Sequence, residues 1–506
     1  MTIGRVLDRR VSSTPDQLAL VGRSGRFSYG ELDRAANRAA NALAALGVTR
    51  GERVAACLPN DVDIVIAFLG AMRLGAIWVG INKPLAAREK AYCLRDSGAR
   101  ALLAPADVIG SLAGERASLG ELRHAVEVAP GTFACCGDDA RPALELDHHA
   151  PAAIAYTSGT TGFPKGAVHS HHNLLLPGAV AAASGTYGAD VRQGVLLPLT
   201  ILNLVVLGPL VAFQDGSALV CIDRIDPEGV ADWVRRERVG HFAAVPTVLY
   251  DLLTHPSVGR DDLASLRRPE VGGAECPEEF RRLYRERFGG EVTIGYGMTE
   301  APTAVTRSDG AAAPQPGLCG KAVPQVEIAI LDEKDQPVPD GEVGEICVAP
   351  ARSGPWAGVY TPMLGYWNQP EETAKALRGG VYHTGDLGFV DERGDLYIRG
   401  RRNELILRGG ANVYPAEVER VLAEHPAVAA SAVLGRPDAR LGQRVVAAVQ
   451  LAAGAEASPD ELASFARERL ARYKVPEQIA LVAALPRNAM GKVVKRELEA
   501  LFEPRP

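Results

Sequence analysis

Cysteine is scarce and dispersed in this chain, which excludes a disulfide framework and the usual zinc sites. None of the eight cysteines has a partner at C-x-x-C spacing, and no set of cysteines and histidines is spaced as in a zinc site. The cysteines are Cys57, Cys93, Cys135, Cys136, Cys221, Cys276, Cys319 and Cys347. Scattered thiols in a long chain are typical of a reducing compartment, so we expect a cytoplasmic protein.

Uninterrupted hydrophobic runs are also missing. Residues 1–13 contain no apolar stretch long enough for a secretory signal. Residues 195–213 carry no charge over 19 positions, which is enough to cross a bilayer. Gly208 and Pro209 interrupt this run, however, and Asn203 lies near its centre. We therefore predict a buried helix with its flanks, and no membrane span.

The chain has no excess of basic residues. Its 55 Lys and Arg residues are outnumbered by 61 Asp and Glu residues, which gives a formal net charge of -6 at pH 7. A surface that binds nucleic acid needs clustered Lys and Arg to neutralise phosphates, and the arginine-rich stretches of this chain have acidic neighbours. We expect no nucleic-acid partner.

The overall composition is that of a globular protein, and 506 residues predict about three folding units. Helical patterns alternate with short apolar strands over residues 20–110 and again over 191–290, which is typical of parallel sheets covered by helices. Residues 327–398 contain short alternating strands between Gly, Pro and Asp turns, which predict a small antiparallel β subdomain. The predicted fold class is α/β with several domains.

A charged, glycine-bearing segment at 399–410 separates these regions from a C-terminal α+β tail. We predict a large N-terminal domain at 1–401, with its β subdomain at about 326–400, and a small mobile C-terminal domain at 402–506. Within the tail, the patterns predict helices at 415–425 and 459–470 and strands at 429–434 and 444–451.

One segment, YTSGTTGFPKG at residues 156–166, has the composition of a phosphate-binding loop. Its glycines allow the backbone to turn N–H groups toward an anion, its hydroxyl groups add donors, and its lysine adds a positive charge. It is not a Walker A loop, because Lys165 is followed by Gly166 and not by Ser or Thr. The candidate phosphate-binding residues are Thr157, Ser158, Gly159, Thr160, Thr161 and Lys165.

This segment closely resembles the phosphate loop of the adenylate-forming superfamily, which contains acyl-CoA synthetases, peptide-synthetase adenylation domains and luciferases. The resemblance continues in order along nearly the whole chain, in the motifs YGMTE at 296–300, GYWNQPEET at 365–373, YHTGDLG at 382–388 and LPRNAMGKVVKREL at 485–498. It implies an acyl-CoA ligase that uses ATP and Mg²⁺ to convert a small-molecule carboxylic acid to acyl-AMP and then transfers the acyl group to coenzyme A.

The resemblance also implies roles in nucleotide binding. Tyr296 would stack on adenine, Thr299 would contact the α-phosphate and Glu300 would bind magnesium, for which carboxylates are suitable ligands. Asp386 resembles the aspartate that accepts both ribose hydroxyls, and Arg401 the arginine that assists there. Further residues on the nucleotide side are Gly273, Ala274, Glu275, Gly297 and Met298.

The C-terminal domain of this family is mobile. Lys492 resembles the lysine that bridges carboxylate and α-phosphate during adenylation, and Asn403 occupies the hinge position. Rotation about the hinge exchanges Lys492 for the segment around Gly409 and Gly410, which resembles the lining of the pantetheine tunnel for coenzyme A. Two adjacent glycines, which have no side chains, would let the narrow pantetheine group pass close to the backbone.

Three departures from the family pattern concern the acid and the hinge. Thr200 and Ile201 stand where an aromatic residue and a histidine are usual, Asn403 is neutral where Asp or Lys is usual, and residues 349–360 include an insertion. The candidate acyl-pocket residues are mostly apolar, which predicts an uncharged hydrophobic acid. They are Ile201, Leu202, Asn203, Val206 and Gly272.

Three functions stay open from the sequence. The first is a complete acid–CoA ligase, and the second is an enzyme that only transfers the acyl group of acyl-AMP made by a partner. The retained Lys165, Glu300 and Lys492 oppose this second function, and also the third, a non-catalytic protein that kept the fold. A carrier-protein thiol as acceptor and a homodimer are also compatible. The histidines within 169–172 have no acidic or thiol partner in their segment, so we predict no metal site there.

Overall fold

The structure is a computed structural model that describes residues 1–133, 138–157, 164–185, 188, 190–267, 269–272, 278–308, 317–408, 411–438, 440–488 and 491–502. The chain divides into two compact units. One comprises Met1–Ile328 and Val348–Tyr382, and the other comprises Ala329–Cys347 and His383–Pro506. The second unit thus includes residues 383–401, which the sequence analysis assigns to the N-terminal domain. The boundary between residues 401 and 402 itself stays a prediction.

The first sheet of the larger unit is parallel over most of its width, as the alternating helix and strand patterns predict. The strands, in order across the sheet, are Gly365–Tyr366, Lys165–Ser170, Pro151–Thr157, Ile77–Gly80, Arg53–Ala56, Ala99–Ala104 and His124–Glu127. The two strands at the Gly365–Tyr366 edge join by antiparallel pairing, and the remaining strands pair in parallel. The strands on both sides of the candidate phosphate loop therefore lie in this sheet.

The second sheet of this unit also has a parallel centre with antiparallel edges. Its strands, in order, are Leu318–Ala322, Thr303–Arg307, Thr293–Met298, Glu270–Gly272, Val239–Ala244, Arg192–Val195, Leu219–Cys221, Leu18–Gly22 and Gly25–Ser28. Pairing is parallel from Thr293–Met298 through to Leu18–Gly22. In such sheets ligands bind beyond the carboxyl ends of the parallel strands.

Helices pack closely on these sheets. Tyr29–Ala45 begins with a capping box at Ser28 and lies against Val62–Leu74, which is buried on nearly all sides. A Cβ atom on Gly70 would lie 2.6 Å from the Cβ of Ala39, so small residues set the distance between the two helices. Further described helices of this unit are Asp8–Ser13, Ala87–Ser97, Ala106–Ser111, His171–Ser184, Pro227–Glu237, Pro246–Thr254, Glu278–Phe288 and Pro370–Ala376.

The uncharged run at 195–213 contains a largely buried helix, as predicted. It consists of the α-helical turn Leu202–Val205, the π-helical turn Val206–Leu210 and the α-helix Val211–Asp215. Pro209 lies in the π-helical turn, where its missing N–H removes a regular helical hydrogen bond. None of the helices in the described part of the chain combines the length and hydropathy that a bilayer crossing needs.

The described residues of the smaller unit contain three helices and further strands, of which Val326–Leu331, Gly344–Pro350 and Tyr382–Val390 begin or end in the larger unit. Val326–Leu331, Gly344–Pro350, Tyr382–Val390 and Leu396–Arg401 are neighbours in that order, and the last two pair antiparallel. Gly442–Leu451 pairs antiparallel with Ile406–Arg408 and Val428–Asp438 and parallel with Gln478–Val482, while Ile406–Arg408 also pairs with Ala411–Val413. The helices are Pro415–Ala423, Pro459–Arg469 and Lys495–Leu498.

Candidate active site

Several predicted site residues lie outside the described residues. Four of them belong to the phosphate loop, three to the segment after Glu270–Gly272, and two to the predicted coenzyme A segment. They are Ser158, Gly159, Thr160, Thr161, Gly273, Ala274, Glu275, Gly409 and Gly410. The residues that flank these segments are described, and they define where each segment begins and ends.

The two ends of the phosphate loop are fixed against each other. Thr157 is the last residue of one strand, Lys165 is the first residue of the next, and the two are direct partners in the antiparallel register. Gly166 faces Ile154 so closely that a Cβ there would lie 2.6 Å from a methyl carbon of Ile154. The glycine after Lys165 therefore has a packing role in addition to loop flexibility.

Glu300 lies beside the start of this loop. Its Oε1 atom accepts hydrogen bonds from the hydroxyl of Tyr366, at 3.0 Å, and from the hydroxyl of Thr157, at 3.4 Å. Burial, and then the charge of Glu300, raise the pKa of Tyr366 and of Tyr382, so both phenols stay protonated at neutral pH. The other oxygen of Glu300 accepts no hydrogen bond from the described residues.

The motif around Glu300 follows a strand of the second sheet. Tyr296, Gly297 and Met298 end the strand Thr293–Met298, and Thr299 begins the turn that leads to Glu300. Tyr296 is largely buried. Gly272, at the end of the neighbouring strand, is the register partner of Gly295, so the strand that precedes residues 273–275 pairs with the strand that contains Tyr296.

Lys165 forms an ion pair that the sequence analysis did not predict. Its Nζ atom lies 2.5 Å from Oε2 of Glu372 and 5.3 Å from the centre of the Tyr366 ring. Hydrogen bonding from Lys165, and then from Lys375, lowers the pKa of Glu372 to about 2. The two partners are 207 positions apart, so no local pattern could reveal this pair.

The predicted acyl segment lies at the carboxyl ends of the first sheet. Asn60, in the loop after Arg53–Ala56, donates to the carbonyl of Leu197 and accepts from the N–H of Leu199. A Cβ on Gly80 would lie 2.0 Å from the carbonyl oxygen of Thr200, so only glycine fits there.

Further along the acyl segment, the predicted apolar residues Leu202 and Val206 are buried. Ile201, at the N-cap of the helical turn Leu202–Val205, is half-buried. Asn203 has a buried side-chain oxygen with no hydrogen-bond partner among the described residues. Leu199 and Val205 line an apolar cavity together with Ile64, Phe68, Trp78 and Pro209.

The smaller unit holds the remaining predicted residues. Asp386 and Arg401 are register partners on adjacent strands, and Arg401 Nε lies 3.3 Å from Asp386 Oδ1. Asn403 lies in the 3₁₀ turn Arg402–Glu404. Lys492 is exposed, and its backbone N–H donates to the side chain of Asn488.

One polar cluster was missed by the sequence analysis, which found no Cys and His set. His383 Nδ1 lies 3.1 Å from Glu345 Oε2 and 3.3 Å from Cys347 Sγ, and all three residues are buried. Glu345 and Cys347 lie on one face of a strand, as the alternation in GEICVA indicates. His383 lies on the neighbouring strand. Because Arg402 and the N–H of Gly385 also contact the Glu345 carboxylate, its charge is already compensated. We interpret the cluster as structural.

Comparison with known proteins places these features in a family. The family model described as AMP-binding enzyme matches residues 7–367, and the model described as AMP-binding enzyme C-terminal domain matches residues 417–492. The chain belongs to the AMP-binding enzyme family. The predictions of an adenylate-forming fold and of an acid–thiol ligase are confirmed by this membership and by the relatives below.

Relatives of this AMP-binding enzyme match over nearly their full length. A long-chain-fatty-acid–CoA ligase, FadD13 of Mycobacterium tuberculosis, is 33% identical over 99% of this chain and 98% of its own. A feruloyl-CoA synthase of Amycolatopsis sp is 35% identical over 98% of both chains. Among solved structures, ATP-bound MatB from Rhodopseudomonas palustris superposes with a TM-score of 0.88 at 30% identity, covering 99% of each chain.

Proposed function

We propose that this enzyme activates a hydrophobic carboxylic acid as acyl-AMP, releases pyrophosphate, and transfers the acyl group to coenzyme A. The observation that carries the proposal is the contact of Glu300 with Thr157 and Tyr366, because it brings the YGMTE motif to the first residue of the phosphate loop. The ATP bound to MatB, which has the same fold, supports ATP as the nucleotide. Coenzyme A as acceptor is supported by the names of both sequence relatives.

The described residues fit the nucleotide and its magnesium ion. Glu300 keeps one carboxylate oxygen clear of hydrogen bonds from the described residues, and Mg²⁺ binds well to one or two carboxylates together with phosphate oxygens. The ion would neutralise phosphate charge. Lys165 and Thr157 would bind phosphates from the two ends of the loop, and Thr299 would contact the α-phosphate. Attack of the acid on the α-phosphorus then depends mainly on positioning and charge.

The nucleoside is proposed to be bound by Tyr296 and Asp386. Tyr296 would stack on adenine at the end of its strand. Asp386 would accept the two ribose hydroxyls, and its ion pair with Arg401 would hold the carboxylate in place. Lys492 would bridge carboxylate and α-phosphate during adenylation, and rotation at Asn403 would then bring the Gly409 segment to the thiol of coenzyme A.

The acid is proposed to be uncharged and hydrophobic. Ile201, Leu202 and Val206 supply apolar side chains, and no acidic or basic residue lies between Ile201 and Val206. The names of the two sequence relatives refer to a long-chain fatty acid and to ferulate, both of which present hydrophobic groups. A thioesterification-only enzyme stays the second candidate, because Thr200 and Ile201 replace the usual aromatic residue and histidine beside the carboxylate.

The test is acid-dependent release of pyrophosphate. Purified enzyme is incubated with ATP, Mg²⁺ and a panel of fatty and aromatic acids, with and without coenzyme A, and pyrophosphate and thioester are measured. Pyrophosphate release with at least one acid, and thioester only with coenzyme A, is the expected result. Thioester formation from synthetic acyl-AMP without release from ATP would favour the second candidate.

A further inference from the structure

Glu372 contacts Lys165 at the end of the candidate phosphate loop, although the proposed function gives Glu372 no role. It lies on the helix Pro370–Ala376, and its carboxylate is 2.5 Å from Lys165 Nζ. The Lys165 side chain is only 14% exposed, and that of Glu372 is 34% exposed. An ion pair so little exposed is weakly screened by solvent.

Glu372 has a second basic partner at the surface. Lys375, one turn further along the same helix, lies 2.9 Å from the other carboxylate oxygen and is 71% exposed. The carboxylate thus has one lysine inside the candidate site and one outside it. If Lys165 takes another anion, Glu372 still keeps a positive partner and does not become an unpaired charge.

The helix that carries Glu372 is held against the site. Thr373 Oγ1 accepts a hydrogen bond from the backbone N–H of Tyr366 and donates one to the carbonyl of Gln369. Tyr366 in turn contacts Glu300 through its hydroxyl and Lys165 through its ring. The position of Glu372 is therefore tied to the same tyrosine that contacts the proposed magnesium ligand.

We propose that Glu372 is a positioning residue that weakens binding of ATP and pyrophosphate by competing with their phosphates for Lys165, and that Lys375 holds the Glu372 carboxylate when the phosphates bind. This inference rests on the proposed function. A polyphosphate carries more negative charge than one carboxylate, so it displaces Glu372 from Lys165. Weaker binding of pyrophosphate favours its release after adenylation.

The test compares nucleotide binding in four variants of the full chain. Titration calorimetry with ATP alone and with pyrophosphate alone gives the Kd values, and steady-state assays give KM and kcat. We expect Glu372→Gln to lower both Kd values and the KM for ATP roughly three- to tenfold, with an unchanged KM for the acid. Lys375→Ala should raise both Kd values about twofold, because Glu372 then pairs only with Lys165. Glu371→Gln, an exposed neighbour, should change neither.

The opposite signs expected for Glu372→Gln and Lys375→Ala separate competition from a structural effect. Glu372→Asp, which keeps the charge, should bind ATP nearly as the wild type does. Weaker or unchanged ATP binding in Glu372→Gln overturns the inference. The expected binding shifts in a protein that releases no pyrophosphate with any acid would support the inference while the proposed function fails. Pyrophosphate release that depends on the carboxylic acid, without the binding shifts, would overturn the inference while supporting the proposed function.

Discussion

Glu300 Oε1 lies 3.4 Å from the hydroxyl oxygen of Thr157, a residue 143 positions earlier in the chain. Thr157 ends a strand of the first sheet, whereas Glu300 follows a strand of the second. The contact therefore joins the two sheets at the point where the phosphate loop begins. Tyr366, from a third segment, contacts the same oxygen and completes the arrangement.

Replacing Tyr366 by Phe should slow adenylation. The variant keeps the ring beside Lys165 but removes the donor to Glu300, and a hydrogen bond to a charged group contributes about 1.5–3 kcal/mol. We expect kcat/KM for acid-dependent pyrophosphate release to fall by at least roughly tenfold. Tyr397→Phe, which removes a hydroxyl 3.4 Å from Asp391, serves as the control and should leave the rate unchanged. Equal rates in Tyr366→Phe and wild type would contradict the role of this contact.

Replacing Lys492 by Ala should separate the two half-reactions. The residue is exposed, and substitutions at exposed positions usually change stability little, so the fold should be unaffected. We expect adenylation to fall on the order of a hundredfold, because a positive charge between carboxylate and phosphate is lost. Thioester formation from synthetic acyl-AMP should change less than about threefold. Lys334→Ala, at an exposed turn, is the control, and equal losses in both half-reactions would refute the assignment.

Replacing Gly80 by Ala should disturb the acyl segment. The added Cβ would meet the carbonyl oxygen of Thr200 at 2.0 Å, so the segment before Ile201 must move. We expect a raised KM for the acid and a destabilisation of about 1–3 kcal/mol, the usual range for overpacking. Gly110→Ala is the matched control, because a Cβ on Gly110 meets nothing within 4 Å. Similar melting temperatures and KM values for the two variants would argue against this packing.

Low pH should destabilise the larger unit, because two of its histidines are buried. Burial lowers the pKa of both His169 and His171 to about 4, and the N–H of Ile3 donates to His171 Nδ1. Because the unfolded chain binds these protons near pH 6.5, stability is complete above that pH and falls as the pH drops toward 4. Each histidine should contribute a loss of about 2 kcal/mol between pH 7 and pH 5. Urea unfolding should show a smaller loss in His171→Asn and an unchanged loss in His124→Asn.

Local sequence patterns were enough to predict many helices and strands of the fold. The apolar spacing within residues 29–46 predicts a helix, which is observed at Tyr29–Ala45, because Ser28 and Glu31 form its capping box and Gly47 follows its end. The strand predicted at 429–434 extends to Asp438 because it pairs along its whole length with Gly442–Leu451. The strand Gln478–Val482 was not predicted, since it depends on distant pairing and not on its own pattern.

Residues of the candidate site could be predicted from the sequence only where they belong to a recognised motif. Glu300 and Asp386 could be named because their neighbours resemble a known family. Glu372 lies within the recognised motif at 365–373, yet its pairing with Lys165 depends on how a helix and a strand meet in three dimensions. The Cys347–His383 contact was missed for the same reason, because each residue belongs to a different strand.

The most direct measurement is exchange of labelled pyrophosphate into ATP without coenzyme A. Under the proposed function, this reaction would need the phosphate loop, Glu300 and Lys492 but no thiol acceptor. With a suitable hydrophobic acid we predict exchange that depends on both acid and Mg²⁺ and is lost in Lys492→Ala. An enzyme that makes thioester from acyl-AMP yet shows no exchange with any acid would contradict the account.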